Sequence, residues 1–178
     1  MNSYEKIYEL AAGNFGLITA AQANELGAST REMSRWVKMG RLEKPCRGLF
    51  RVSLFPSSPF DVFATAVESV GAEAYLYGES VLAILNLVPT NPTWINVATP
   101  MRKRKSLMDG VRVFPVKGNY SPVSYDGVRS QRVADAMVDC RNNLHPCEIC
   151  GHITDKDMCD ICASDHRNKN VICILFLS

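Results

Sequence analysis

Apolar positions in the first 54 residues recur at helical spacing in three short stretches and then switch to alternation. Tyr4 to Ala12 predicts a helix with Ile7, Tyr8, Leu10 and Ala11 on its apolar side, stopped by Gly13-Asn14-Phe15-Gly16. Leu17-Ile18 is a short apolar entry. Thr19 then caps a second helix, Ala20 to Leu26, which Gly27 ends. Ser29 caps a third helix, and Glu32 three residues later completes a Ser-x-x-Glu capping box. In that helix Met33, Trp36 and Val37 point one way, while Arg31, Arg35 and Lys38 fall on the other sides. Trp36 is therefore assigned to the core rather than to base stacking. Gly40 ends the helix. Leu42-Glu43-Lys44 and Leu49-Phe50-Arg51-Val52, joined by Pro45-Cys46-Arg47-Gly48, predict a β-hairpin.

Pro56-Ser57-Ser58-Pro59 breaks the pattern. Beyond it, Phe60 to Val70 is an amphipathic helix with Phe60, Phe63, Ala64 and Val67 in register. Tyr75 to Leu85 predicts a second apolar helix. Trp94 to Ala98 and Val111 to Val116 alternate apolar and polar residues, as strands do. Asp126-Gly127 predicts a turn, and Gln131 to Cys140 a final helix. No catalytic set emerges. Glu68, Glu73 and Glu79 have no His or Cys partner nearby in sequence, no Gly-rich phosphate loop appears, and Gly78-Glu79-Ser80 is not a nucleophile elbow. A non-enzyme without a small-molecule substrate is the expectation.

Composition narrows the class. The chain has 178 residues, 47% hydrophobic and 21% charged, close to the globular average. Its longest unbroken apolar stretch, Val171 to Leu177, is seven residues. A spanning helix needs about 20, so no membrane partner is expected. Glu5, Lys6 and Glu9 leave no apolar core for a secretory signal, so a cytoplasmic protein is expected.

The net charge of +2 conceals clustering. Lys6, Arg31, Arg35, Lys38, Arg41, Lys44, Arg47 and Arg51 face only five glutamates in the first segment, and all but Lys6 fall on the third helix or after it. Helix, short turn, helix and basic hairpin is the order of a winged helix-turn-helix. A helix fits the major groove of double-stranded DNA, and a hairpin can track the neighbouring phosphates. The expected groove-facing residues are Ser29, Thr30, Arg31, Ser34, Arg35 and Lys38, with Arg47 and Arg51 meeting phosphates from the wing. The run Arg102-Lys103-Arg104-Lys105 reads as a solvated loop, with a phosphate contact as the alternative.

The cysteines change the picture at the other end. Six of the seven lie in the last 39 residues. Cys147-x-x-Cys150 and Cys159-x-x-Cys162 are two tight knuckles eight residues apart. Each places two sulfurs on one side of a turn, where backbone amides offset thiolate charge. Four thiolates make a closed tetrahedral Zn2+ site with no position for water, hence one structural metal. So short a segment with so few apolar groups needs the metal to fold. His145, His152 and His166 are read as bystanders, and Cys140 and Cys173 as buried thiols.

Two family resemblances follow. Met1 to about Asn143 resembles the AbiEi family, the antitoxins of type IV toxin–antitoxin systems. The carrying features are the winged-helix start, Gly-Leu-Ile-Thr-Ala-Ala-Gln-Ala at the second helix and Arg-Gly-Leu-Phe-Arg at Arg47 to Arg51. Tyr75 to Ala83 and Asp126 to Ala136 add to them. The resemblance implies a transcriptional autorepressor whose following domain helps to neutralise a nucleotidyltransferase-like toxin, and no enzyme activity. His145 to Ile174 resembles the zinc finger of the recombination-repair protein RecR. It carries Thr154-Asp155 before the second cysteine pair, Asp165-His166-Arg167-Asn168 after it, and then Val171-Ile172-Cys173-Ile174. In that family the last stretch is the first strand of a Toprim domain and a glutamate follows it. Phe176 stands at that position here.

The expected architecture is α+β in three parts. Residues 1–54 form a winged helix-turn-helix and 56–143 a small antitoxin-like α/β domain. Residues 144–178 form a four-cysteine zinc ribbon of RecR type with a truncated Toprim first strand. The join near Asn143 admits a natural fusion, a truncated or frameshifted repair gene, or a convergent knuckle, and the apolar tail favours the second. A DNA-binding regulator with a toxin partner is the first functional reading. A RecR-like repair fragment and a module that binds only a toxin are the alternatives.

Overall fold

The computed structural model describes residues 3–87, 94–101, 108–116, 120–142, 145–151, 153–154 and 156–164. The described elements are α and β in irregular alternation, an α+β chain. It divides into two compact units, Met1–Met137 and Val138–Ser178.

The first unit opens with α1 (Ser3–Ala12), β1 (Leu17–Thr19), α2 (Ala20–Glu25), α3 (Thr30–Lys38), β2 (Leu42–Cys46) and β3 (Leu49–Val52). Both capping signals act as the residue chemistry requires. Thr19 Oγ1 accepts from the Gln22 amide at 3.3 Å, and Gln22 Oε1 accepts from the Thr19 amide at 2.9 Å. Ser29 Oγ accepts from the Glu32 amide at 3.2 Å, and Glu32 Oε2 accepts from the Ser29 amide at 2.9 Å. Four otherwise orphaned backbone donors at two helix starts are thereby satisfied. The Gln22 half of the first box goes beyond the sequence signal, in which Thr19 alone is the cap. In α1, Ile7 and Ala11 are buried, but Tyr8 and Leu10 are exposed, so its core-facing stripe is narrower than expected.

Leu17-Ile18 is more than an entry to α2. It is an edge strand of a three-stranded antiparallel sheet in the order β1-β3-β2. Successive strand residues point to opposite faces, and here both faces are apolar. Ile18, Leu42, Phe50 and Val52 pack with Ile7, Ala11, Ala23, Met33 and Trp36 of the three helices. Leu17 and Leu49 belong to a second buried cluster built by the elements that follow. Gly16 sits where the chain enters this sheet, with φ +74°. A Cβ there would lie 2.7 Å from the Phe55 side chain, so glycine is required twice over.

The following elements are α4 (Asp61–Val70), β4 (Tyr75–Leu76), α5 (Glu79–Ile84), β5 (Ile95–Thr99), β6 (Val111–Pro115), β7 (Val123–Tyr125), β8 (Val128–Ser130) and α6 (Val133–Asn142). Five strands form a mixed sheet in the order β6-β5-β4-β8-β7. The β5–β6 and β4–β8 pairs are parallel, and the β4–β5 and β7–β8 pairs antiparallel. Asp126 (φ 49°) and Gly127 (φ 84°) both take the left-handed conformation that a two-residue hairpin demands between β7 and β8. The expected helix from Tyr75 is corrected. Tyr75-Leu76 is the middle strand of the sheet, Gly78 turns at φ 53°, and only Glu79–Ile84 is helical. An apolar run buried on both sides has no period that distinguishes strand from helix. Gln131, almost fully buried, holds this corner: its Oε1 accepts from the Gly78 amide at 3.0 Å, and its own amide donates to the Leu76 carbonyl at 2.8 Å.

Pro56–Pro59 joins β3 to α4 across a short, tied bend. Arg51 Nη2 lies 2.7 Å from Asp61 Oδ2, and that same oxygen accepts from the Ser58 amide at 3.0 Å. Both side chains are largely withdrawn from water, at 13% and 19% exposure. The contact uses one oxygen only. Arg51 Nε and Asp61 Oδ1 are buried without a hydrogen-bond partner among the described residues.

The second unit contains β9 (His145–Pro146), β10 (Ile153–Thr154) and α7 (Asp160–Ala163). The two strands pair antiparallel.

Two expectations follow. Asp61→Ala strands a buried guanidinium and lowers stability by on the order of 3 kcal/mol, whereas Arg51→Met with Asp61→Leu costs much less. Equal losses for the single and the double variant in urea melts count against this account. The second concerns acid. Hydrogen bonds from the Ser29 amide and hydroxyl, with the nearby Arg35 charge, hold the Glu32 carboxyl below its ordinary value of 4.5. A carboxylate depressed in the folded state stabilises above that value and loses its contribution as pH falls through the folded one. The stability difference between the wild type and Glu32→Gln therefore shrinks below about pH 4.5, and a difference that stays constant from neutral to strongly acidic pH contradicts it.

Candidate metal centre and nucleic-acid interface

Four sulfurs converge in the second unit. The Sγ atoms of Cys147, Cys150, Cys159 and Cys162 all lie within 4.8 Å of one another. Cys150 Sγ and Cys159 Sγ are 3.7 Å apart. Zinc bound to four thiolates at about 2.3 Å in a tetrahedron needs its sulfurs roughly 3.8 Å apart, so the donor set fits that ion in number, chemistry and spacing.

Local backbone geometry explains why the sulfurs meet. Each Cys-x-x-Cys closes on itself: the Gly151 amide donates to the Cys147 carbonyl and the Ala163 amide to the Cys159 carbonyl, both at 2.9 Å. Gly151 turns at φ +73°, a conformation glycine takes without cost. The Glu148 amide donates to the Asp157 carbonyl at 3.1 Å and ties the first knuckle to the approach to the second. The amides also serve the sulfurs. Cys159 N donates to Cys147 Sγ at 3.3 Å, and Cys162 N to Cys159 Sγ at 3.4 Å.

Amide hydrogen bonds from Cys159, Cys150 and Ile149 hold the Cys147 thiol down to about 6. Hydrogen bonding to Cys150, together with burial, pushes Cys162 up to about 12. The shared hydrogen bonds thus favour the thiolate at Cys147 and the thiol at Cys162. A bound cation displaces the remaining protons. Cys147 and Cys159 are buried, whereas Cys150 is exposed. His145 is exposed and is not part of this group, while His152, His166 and Cys173 lie outside the described residues.

In the first unit, Met33 and Trp36 fix the orientation of α3 by burying one side of it. Ser29, Thr30, Arg31, Ser34, Arg35 and Lys38 lie around the remainder, and all six are exposed. Ser34 Oγ donates to the Thr30 carbonyl at 2.9 Å, so its hydroxyl proton is turned back to the helix. Arg47 lies at the β2–β3 turn. Among the described residues, Arg31, Arg35, Lys38 and Arg47 form no ion pair within 4 Å. Arg51, expected to meet a phosphate from the wing, has its guanidinium on Asp61. Alternation along β3 places it on the opposite face from Phe50, toward α4. The Arg102–Lys105 run lies outside the described residues.

Comparison with known proteins assigns each end to a class. Residues 5–53 match the family described as "Transcriptional regulator, AbiEi antitoxin". Residues 144–164, which hold all four clustered cysteines, match the family of the RecR zinc finger domain with four cysteine ligands. Neither is a catalytic family. The zinc finger family and the sulfur cluster together define one structural zinc site.

Among individual proteins, the chain is similar to the recombination protein RecR of Syntrophomonas wolfei subsp. wolfei, with 45% identity over 47 residues, 26% of this chain. The chain spans only 24% of the length of that relative. The crystal structure of the RV2827C protein from Mycobacterium tuberculosis aligns at a TM-score of 0.39 and 18% identity, over 66% of this chain and 46% of that one. Among the described residues no helix is long and apolar enough to cross a membrane.

The metal site predicts one zinc per chain by atomic absorption, given the four-cysteine donor set. Cys147→Ser lowers the stoichiometry well below one. Because the thiols must lose protons to bind, metal affinity falls as pH falls. Zinc content that survives both the substitution and acid dialysis is incompatible with this site.

Proposed function

We propose that the chain is a DNA-binding transcriptional regulator of antitoxin type, with a winged helix-turn-helix in its first 54 residues and a structural zinc finger near its C-terminus. On this reading α3 lies in the major groove and Arg31, Arg35 and Lys38 reach base edges or flanking phosphates. Arg47 meets a phosphate from the β2–β3 hairpin. Arg51 does not, since Asp61 already engages it. The observation that carries the proposal is the open polar face of α3, whose cations have no acidic partner within ion-pair distance among the described residues. A helix whose cations merely solubilise it tends to lace them with i,i+4 carboxylates. A nucleic-acid reader leaves them open to phosphates.

By analogy with the matched family, the regulator represses its own operon and counteracts a nucleotidyltransferase-like toxin. Recombination and repair belong to the RecR relative as a whole. The likeness extends to the finger, which here supplies a metal cross-link.

Arg31→Ala combined with Arg35→Ala lowers affinity for a duplex of the chain's own upstream region by roughly 100-fold, at about tenfold or more for each lost arginine contact. It also flattens the dependence on salt. A gel-shift titration in which the double variant binds like the wild type, with the same salt slope, removes the basis of this reading.

A further inference from the structure

Arg41 contributes to the basic balance of the first segment, yet neither the helix nor the hairpin gives it a role. It is the first residue after the Gly40 stop of α3, and its backbone is fixed on both sides. Its amide donates to the Trp36 carbonyl at 2.9 Å, and its carbonyl accepts from the Ser53 amide at 3.1 Å. The side chain is positioned as well. Its guanidinium carbon lies 5.4 Å from the centre of the Tyr4 ring, and that ring meets Trp36 edge to face at 5.4 Å. Tyr4 Oη also donates to the Arg41 carbonyl at 3.5 Å. A core aromatic thus holds a surface aromatic, which in turn holds the cation.

A guanidinium beside one ring still has five N–H donors to share, more than that one contact can use. Among the described residues, no ion pair occupies those groups of Arg41. Arg41 borders an open recess of about 400 Å³ that, among the described residues, Ser3, Glu32, Arg35 and Trp36 also line. Arg35, one turn before the end of α3, puts a second cation there. Glu32 opposes them, but one of its oxygens already accepts from both the Ser29 amide and the Ser29 hydroxyl, at 2.9 and 2.8 Å. Among the described residues that line it, two arginines against one carboxylate leave the recess positive. A planar fork of N–H donors suits a tetrahedral phosphate oxyanion better than an ammonium point charge would.

We infer that Arg41, with Arg35, seats a backbone phosphate of the DNA strand that flanks the groove occupied by α3. The inference rests on the proposed DNA-binding reading. It adds a contact outside both the helix and the hairpin: α1 lends Tyr4 as the platform, and the residue after α3 supplies the charge. Such a contact fixes register without reading sequence.

The test uses the full-length, zinc-loaded chain with two probes: a duplex of its own upstream region and a scrambled duplex of the same composition. Arg41→Ala is expected to weaken binding to both by about tenfold at fixed salt. It should also lower the slope of log affinity against log salt by about 0.9, as one lost phosphate requires. Discrimination between the two duplexes should stay the same. Arg41→Lys, which keeps the charge but not the fork, should retain the slope and lose part of the affinity; it also serves if the alanine variant melts early.

An unchanged slope for Arg41→Ala, with Arg31→Ala plus Arg35→Ala still weakening binding as expected above, overturns the inference and leaves the broader reading standing. Lost discrimination between the two duplexes also overturns it, since that marks a base contact. If the wild type binds neither duplex, the broader reading fails, and this contact with it.

Discussion

The three-stranded sheet β1-β3-β2 buries apolar residues on both of its faces, and the first unit is organised around that fact. Ile18 and Phe50 face the helical cluster that orients α3. Leu17 and Leu49, neighbours of those residues in the same strands, face the cluster formed with α4, α5 and the five-stranded sheet. Since strand residues alternate strictly, neither face can be rearranged without moving the other. Arg51 sits at the edge of this arrangement and ties β3 to the start of α4 through Asp61. The position of α3, and with it of the exposed cations, is therefore set by packing on both sides of a sheet whose strands are only three to five residues long.

Features with a local cause were legible in the sequence. The Ser29–Glu32 box, the Asp126-Gly127 turn and the paired Cys-x-x-Cys knuckles each need only a few neighbouring residues, and each is present in the expected form. Features decided at long range were not. Tyr75-Leu76 is a strand because Val97 and Ser130 arrive on either side of it, and nothing in its own run encodes those partners. Leu17-Ile18 pairs with Arg51 and Phe50, far along the chain beyond two helices. Arg51 is indistinguishable from every other arginine of the basic segment until Asp61 is placed beside it. Arg41 shows the same limit from the opposite side: its value lies in Tyr4 and Trp36, which a one-dimensional charge pattern cannot bring together.

The two ends of the chain use different means to hold a small number of groups in place. At α3, an apolar core fixes a helix and leaves its outer face to the solvent. In the finger, few apolar side chains are present, and convergence is achieved by turns closing on themselves. Amide donors soften the repulsion that four thiolates would otherwise feel. A metal completes such a site by replacing protons, so its stability follows metal supply and acidity rather than hydrophobic burial.

The parallel pairing of β4 with β8 has a consequence for the order of folding. Leu76 meets Ser130 across a long stretch of intervening chain, and contacts of that kind form late because the loop must close before any gain is realised. During synthesis β4 emerges well before its partner. Until β8 arrives, the middle of the sheet has an open edge and its apolar residues are uncovered. The nascent chain thus passes through an interval in which the five-stranded sheet lacks its β4–β8 pair. The knuckles, whose ligands are all close in sequence, need no such wait once they have left the ribosome.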